Sequence, residues 1–113
     1  MVILKPGAVI LVHFPFSDLS QTKLRPAVVL ADAGRGDWIL CQVTSNPYGD
    51  ARAIELEDAS FNVGALRGVS YARPGKLFTA SQRLIFVEVG KLKPGPLRRV
   101  TDSVVSLLRT GSG

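Results

Sequence analysis

Apolar residues fall in short runs along this chain, and Gly, Pro, Asn or Asp interrupts each run soon after it begins, a rhythm of strands and turns. Ala8 to Phe14 follows the turn signal Lys5-Pro6-Gly7 and predicts a first strand. Pro15 ends it, because proline has no N–H to give to a ladder. Ser17 to Leu24 predicts a loop. Pro26 to Ala31 predicts a second strand buried on both faces. Asp32 to Asp37, with Gly34 and Gly36, then predicts a hairpin turn into a third strand, Trp38 to Thr44.

Asn46-Pro47-Tyr48-Gly49-Asp50 predicts a loop, and in Ala53 to Glu57 the residues Ile54 and Leu56 alternate with Glu55 and Glu57, the period of a half-exposed strand. Asp58 to Gly68 shows no period and predicts irregular structure. Val69 to Ala72 predicts a short strand, Arg73-Pro74-Gly75 a sharp reversal before Lys76-Leu77-Phe78, and Ser81 the cap of a brief turn leading into a strand over Leu84 to Val89. Beyond Gly90 and the breakers Pro94-Gly95-Pro96, the residues Leu97, Val100, Val104, Leu107 and Leu108 recur at helical spacing and predict a helix over Leu97 to Arg109. Many short strands and one terminal helix predict a mainly β fold, an antiparallel sheet that curls or closes into a small barrel.

The 113 residues, 46% of them hydrophobic, match one domain of about 100 to 150 residues. Residues 1 to 110 are assigned to it, with Gly111-Ser112-Gly113 set aside as a flexible tail. The single cysteine, Cys41, has no internal disulfide partner, and its place in the apolar run Trp38 to Val43 predicts a buried, inert thiol. That usage fits a reducing cytoplasm. No apolar stretch reaches membrane-spanning length, and Met1 to Leu4 is too short for a secretory core, so no membrane partner is expected. Fourteen basic residues against 9 acids give a net charge of +5, which attracts polyanions and makes nucleic acid or an acidic peptide the leading partner.

One histidine and one cysteine, without His-x-x-x-His or Cys-x-x-Cys spacing, predict no metal site. Neither a P-loop nor a Gly-x-Gly-x-x-Gly is present, so no nucleotide cofactor is predicted. His13 lies within an apolar strand, where a packed histidine is favoured over a catalytic one. What remains is a set of donors at strand ends and adjacent loops: Arg25, Thr44, Ser45, Arg73 and Lys76. Arg25 stands where the polar loop meets the second strand, and Pro26 biases it toward extended geometry. A guanidinium so held presents a rigid fork of donors to a tetrahedral anion.

Such donors suffice for cleavage of RNA without a metal. The ribose 2′-OH attacks the neighbouring phosphorus when its proton is accepted, the gathering charge is held and the departing 5′-oxygen is protonated. DNA lacks the attacking hydroxyl. Each group also has a plainer reading: Arg25 as an ion-pair partner, Thr44 as a strand-end residue, Ser45 as a loop hydroxyl bonding its own backbone, Arg73 with Lys76 as a solvated turn. The residues alone leave both sets of readings open.

The order of these segments resembles the MazF/PemK family of bacterial toxin endoribonucleases from Lys5 to Leu108. The matching pieces are Pro6-Gly7, Leu24-Arg25-Pro26-Ala27-Val28-Val29-Leu30, Leu40-Cys41-Gln42-Val43-Thr44-Ser45 and Arg73-Pro74-Gly75-Lys76-Leu77-Phe78-Thr79. The resemblance implies an SH3-like barrel with a C-terminal helix, a symmetric homodimer, cleavage of single-stranded RNA to a 2′,3′-cyclic phosphate, and neutralisation by an acidic antitoxin. Carried over by position, Arg25 matches the family's strand-two arginine, Thr44 the threonine ending the next strand, and Arg73 the arginine of the later loop.

On that basis Arg25 and Thr44 are assigned catalysis. Ser45, Arg73, Lys76, Lys23, Asp18 and Phe16 are assigned substrate contacts, and Tyr48 and Tyr71 join Phe16 as candidate base-stacking aromatics. Many members carry Gly-x-Glu-Gln before the arginine, where this chain reads Ser20-Gln21-Thr22-Lys23-Leu24, and Gly75 stands where some place an aspartate. Asp18, within Phe14-Pro15-Phe16-Ser17-Asp18-Leu19, is the substitute carboxylate; a branch with Phe-Pro-Phe-x-Asp-Leu is the nearer match. Two other functions share the scaffold: a non-catalytic binder like the CcdB-type gyrase poisons, and an adaptor for extended peptides.

Overall fold

The computed structural model describes residues 3–15 and 22–112. These form strands β1 (Ala8–Pro15), β2 (Thr22–Gly34), β3 (Asp37–Thr44), β4 (Ile54–Leu56), β5 (Phe61–Gly64), β6 (Ser70–Ser81) and β7 (Ile85–Leu92), followed by helix α1 (Pro94–Thr110). One sheet takes all seven strands in the order β4-β6-β3-β2-β1-β7-β5, every pairing antiparallel. The fold is mainly β, a curled half-barrel with a C-terminal helix, as the strand rhythm predicts.

Strands β1 to β3 are buried on both faces, which explains their near-continuous apolar runs. Ile10, Val12, Ala27, Val29, Trp38 and Leu40 pack in one layer. Val9, Val28, Cys41 and Val43, their alternates, pack in the other with Leu56, Phe61, Leu92 and Val100 of α1. Each fully buried Val, Leu or Ile contributes roughly 1.5 to 3 kcal/mol, so the two layers hold the central strands as a stiff platform.

Differences from the expected elements trace to pairing that side-chain pattern does not reveal. Thr22 to Leu24, expected in a loop, extend β2 because they pair with Pro15, Phe14 and His13 of β1. Asp58 to Gly68, expected to be irregular, holds a 3-10 turn at Asp58–Ser60 and then β5. In β5 only Phe61 is buried, so no alternation marks a strand whose backbone nonetheless pairs with β7.

Arg73-Pro74-Gly75 is not a reversal: β6 runs through it from Ser70 to Ser81. Ala72 faces Val43 and Leu77 faces Cys41, so five steps along β6 are matched by two along β3. The surplus forms a bulge, anchored by the buried Pro74 and by the Cys41 thiol, which donates to the Arg73 carbonyl at 3.2 Å. The true reversal follows Ser81, whose hydroxyl accepts from the Arg83 N–H at 3.2 Å and caps a 3-10 turn. Helix α1 begins at Pro94 rather than Leu97, since a proline in the first turn loses no hydrogen bond. Gly111, at φ 70°, closes it by donating to the Leu107 carbonyl.

Candidate functional site

The site lies where two strands part. Ala27 and Gln42 form the last rung between β2 and β3, beyond which β2 stays with β1 down to Thr22 while β3 follows β6 to Thr44 and Tyr71. Pro26 sits at the fork, where its missing N–H interrupts no rung to β3. The wedge opens into a cavity of about 450 Å³ lined by Leu11, Leu24, Arg25, Pro26, Val43, Thr44, Ser45, Ala65, Leu66, Arg67, Ser70 and Val89, within the range of small-ligand sites.

Arg25 is half-buried in β2 opposite Val12, which places a permanent cation at the wall. Thr44 ends β3, and its Oγ1 accepts the Asn46 N–H at 3.2 Å, leaving its own proton to donate into the cavity. Ser45 is exposed beside it. The floor is apolar, and no described carboxylate lines the wall. Two guanidiniums and two to three hydroxyls around an apolar floor suit an anion that also carries a flat apolar group. A second hollow of about 300 Å³ beside Arg99 is lined by Glu55 and Glu57, whose charges oppose a polyanion.

Arg67 is the residue that the pattern of the chain does not disclose. It stands on the loop from β5 to β6, bracketed by Gly64 at φ 72° and Gly68 at φ 69°. A Cβ at Gly64 would overlap the Val89 carbonyl, so only glycine lets the chain turn there and carry Arg67 to the cavity. That pair of glycines around an arginine is the signal available in the sequence.

The remaining candidates are placed elsewhere. Arg73 leaves the β6 bulge for the β3–β4 loop, where its Nε donates to Asp50 at 3.0 Å and its guanidinium lies 5.5 Å from the Tyr48 ring centroid. The Arg52 backbone N–H, and after it the Arg73 guanidinium, hold the Asp50 carboxyl below its ordinary value. Lys76 lines a separate hollow of about 70 Å³ with Phe14, Gln42, Leu77 and Phe78. Lys23 is exposed on β2 two residues before Arg25 and by alternation shares its face. Tyr71 is half-buried opposite Thr44. Asp18 and Phe16 lie outside the described residues.

Two residues weighed for chemistry have structural surroundings instead. His13 is half-buried with its ring edge-on to Phe86 at 6.1 Å. Burial pushes the Cys41 thiol up to about 12, far above the range in which a thiol acts as a nucleophile.

The fold is a curled β half-barrel with a basic, hydroxyl-bearing wedge between its second and third strands. The sequence matches, over residues 5–108, the family of PemK-like, MazF-like toxins of type II toxin-antitoxin systems, and the chain belongs to that family. Among solved structures, a MazE-MazF complex from Deinococcus radiodurans shares the fold at TM-score 0.77 and 22% identity, covering 96% of this chain and 98% of that one. MazF alone from the same organism gives TM-score 0.75 at 23% identity, over 96% and 99%. An endoribonuclease in complex with its cognate antitoxin, from a mycobacterial species, gives 0.72 at 12% identity, over 100% and 98%. No curated protein matches the sequence.

Proposed function

We propose that this protein is a toxin endoribonuclease that cuts single-stranded RNA without a metal, leaving 2′,3′-cyclic phosphate and 5′-OH ends, and that an acidic antitoxin restrains it. The observation that carries this reading is the convergence of Arg25 and Thr44 on one cavity with Arg67. The scissile phosphate sits between Arg25 and Thr44. As the 2′-oxygen attacks, negative charge gathers on the non-bridging oxygens, and the Arg25 N–H donors and the Thr44 hydroxyl meet it with no reorganisation. Asp18 is assigned the proton from the 2′-OH as the new oxygen–phosphorus bond forms, and the bond from phosphorus to the 5′-oxygen breaks as that oxygen takes a proton from solvent to leave as the 5′-OH. Arg67 and Ser45 hold the flanking backbone, while Lys23, Lys76, Arg73 and Phe16 extend contact along the strand.

The half-buried position of Arg25 strengthens its field over that of a fully solvated arginine. The net charge of +5 favours both RNA and an acidic protein tail over the same cleft. Cytoplasmic location and a homodimer complete the proposal, supported by membership of the family. The test is incubation of purified protein with single-stranded RNA and DNA in the presence of a chelator. RNA cut to cyclic-phosphate ends, with DNA intact, is the expected result; metal-dependent cutting would count against the mechanism. An intact Arg25 and Thr44 pair at one cavity favours this over a non-catalytic, CcdB-like binder, which would leave RNA whole.

A further inference from the structure

The loop between β3 and β4 carries an aromatic side chain that the fold does not use. Tyr48 is 69% exposed, yet its backbone stands at φ 53°, a left-handed conformation that a bulky residue keeps only where its surroundings enforce it. The enforcement is a chain of hydrogen bonds that starts at the site. Thr44 Oγ1 accepts the Asn46 N–H at 3.2 Å, and Asn46 Oδ1 accepts the Tyr48 N–H at 2.9 Å. The Asp50 N–H donates to the Pro47 carbonyl at 2.9 Å. Asp50 Oδ1 then accepts the Arg52 N–H at 2.9 Å, and Oδ2 accepts Arg73 Nε at 3.0 Å.

Arg73 closes the device from the other side. Its guanidinium lies over the Tyr48 ring, 5.5 Å from the centroid, within reach of a cation–π contact. One face of the ring is thereby fixed and the other is open to solvent. A turn that served only the fold would place Gly or Asn at this φ, and burial does not hold a ring that is mostly exposed. Four residues of chain span at most about 14 Å, which bounds the distance from Tyr48 to Thr44 to roughly two nucleotides of extended strand.

We propose that Tyr48 is a base-stacking platform that seats a nucleotide flanking the cut and so determines sequence preference. The inference deepens the ribonuclease reading and rests on it. Single-stranded nucleic acid is seated by aromatic faces of this kind. The acid-base pair Asp50–Arg73 acts as a positioning clamp, which explains why Arg73 stands apart from the cavity while still serving the substrate.

The test uses uncleavable single-stranded 2′-methoxy RNA, degenerate in sequence apart from one 2-aminopurine, whose fluorescence falls when it stacks. The full chain and its Tyr48→Phe variant are expected to quench the probe alike. Tyr48→Ala is expected to bind it roughly 5- to 100-fold more weakly without quenching, to raise KM rather than lower kcat, and to lose base preference at one position of the mapped cuts. Asp50→Asn, which keeps the ring and loosens its clamp, is expected to quench less than wild type; circular dichroism verifies that each variant is folded. Cutting by wild type, with quench, KM and cut pattern all unchanged in Tyr48→Ala, overturns the role of Tyr48 and leaves the ribonuclease reading standing. Tyr48-dependent quenching without any cutting overturns the ribonuclease reading, and with it the role of Tyr48 in choosing the cut, while leaving Tyr48 as a stacking surface; a protein that neither binds nor cuts overturns both entirely.

Discussion

Arg25 and Thr44 come from different strands, and each does something an isolated side chain in water does poorly. The backbone of Arg25 is fixed by the β1–β2 ladder, and the Thr44 hydroxyl is oriented by the bond it accepts from Asn46. Donors fixed in this way stabilise a developing oxyanion by about 3 to 4 kcal/mol. Arg25→Ala is therefore expected to lower kcat on RNA by roughly 100- to 1000-fold while the thermal midpoint stays near that of wild type; comparable cutting would exclude Arg25 from the chemistry. Arg67→Ala leaves the attacking geometry in place and is expected to raise KM more than it lowers kcat, read from initial rates on a short RNA. Asp50 makes a pH-dependent contribution. Its carboxyl is held below the ordinary value, so its stabilisation is present above the unfolded pKa and disappears as pH falls through the lower folded one. Asp50→Asn is expected to cost up to about 1 kcal/mol at neutral pH, and urea titrations should show the gap to wild type closing in acid.

At the scale of elements, two devices place the site and neither is a regular strand. The fork between β2 and β3 opens the cavity, and the glycine-bracketed loop from β5 to β6 brings Arg67 across it. Gly64→Ala meets both a left-handed φ and the Val89 carbonyl. It is expected to lower the unfolding free energy, read from urea titration, by more than about 1 kcal/mol and to weaken RNA binding with it, whereas an unchanged unfolding free energy would mean that the loop adapts. Helix α1 acts at a distance by burying Val100 in the layer that contains Cys41 and Val43. These elements explain which expectations held and which did not. β1 and β3 were legible as apolar runs bounded by turn residues, and α1 because burial of one face imposes a helical period. The β6 bulge was not, because Arg73-Pro74-Gly75 has the composition of a turn and is carried within a strand only by the pairing of β6 with β3 on either side of Gln42.

For the whole molecule, charge and shape act together. A basic chain whose cavity walls carry Arg25 and Arg67 gains affinity for a polyanion by releasing counterions. RNA binding is expected to weaken steeply between about 50 and 200 mM salt, as measured by fluorescence anisotropy, and a flat response would argue for a protein target instead. Light scattering is expected to give a mass twice 12.1 kDa if the homodimer proposed from the family forms.

The chain by itself determined the β-rich architecture, the terminal helix, the inert cysteine and the place of Arg25 and Thr44 among the candidate donors, whose selection as a pair came from the family resemblance. Each of these is written in local signals: apolar period, turn residues, a proline after an arginine, a threonine where a run of apolar residues stops. Tertiary structure decided where the strands part, that Arg67 joins Arg25 at one cavity while Arg73 and Lys76 stand apart, and that Tyr48 is clamped with one face open. Those outcomes depend on contacts between residues far apart in sequence, such as Arg73 with Asp50 and Gly64 with Val89, and no local pattern encodes a contact whose partner lies on another strand.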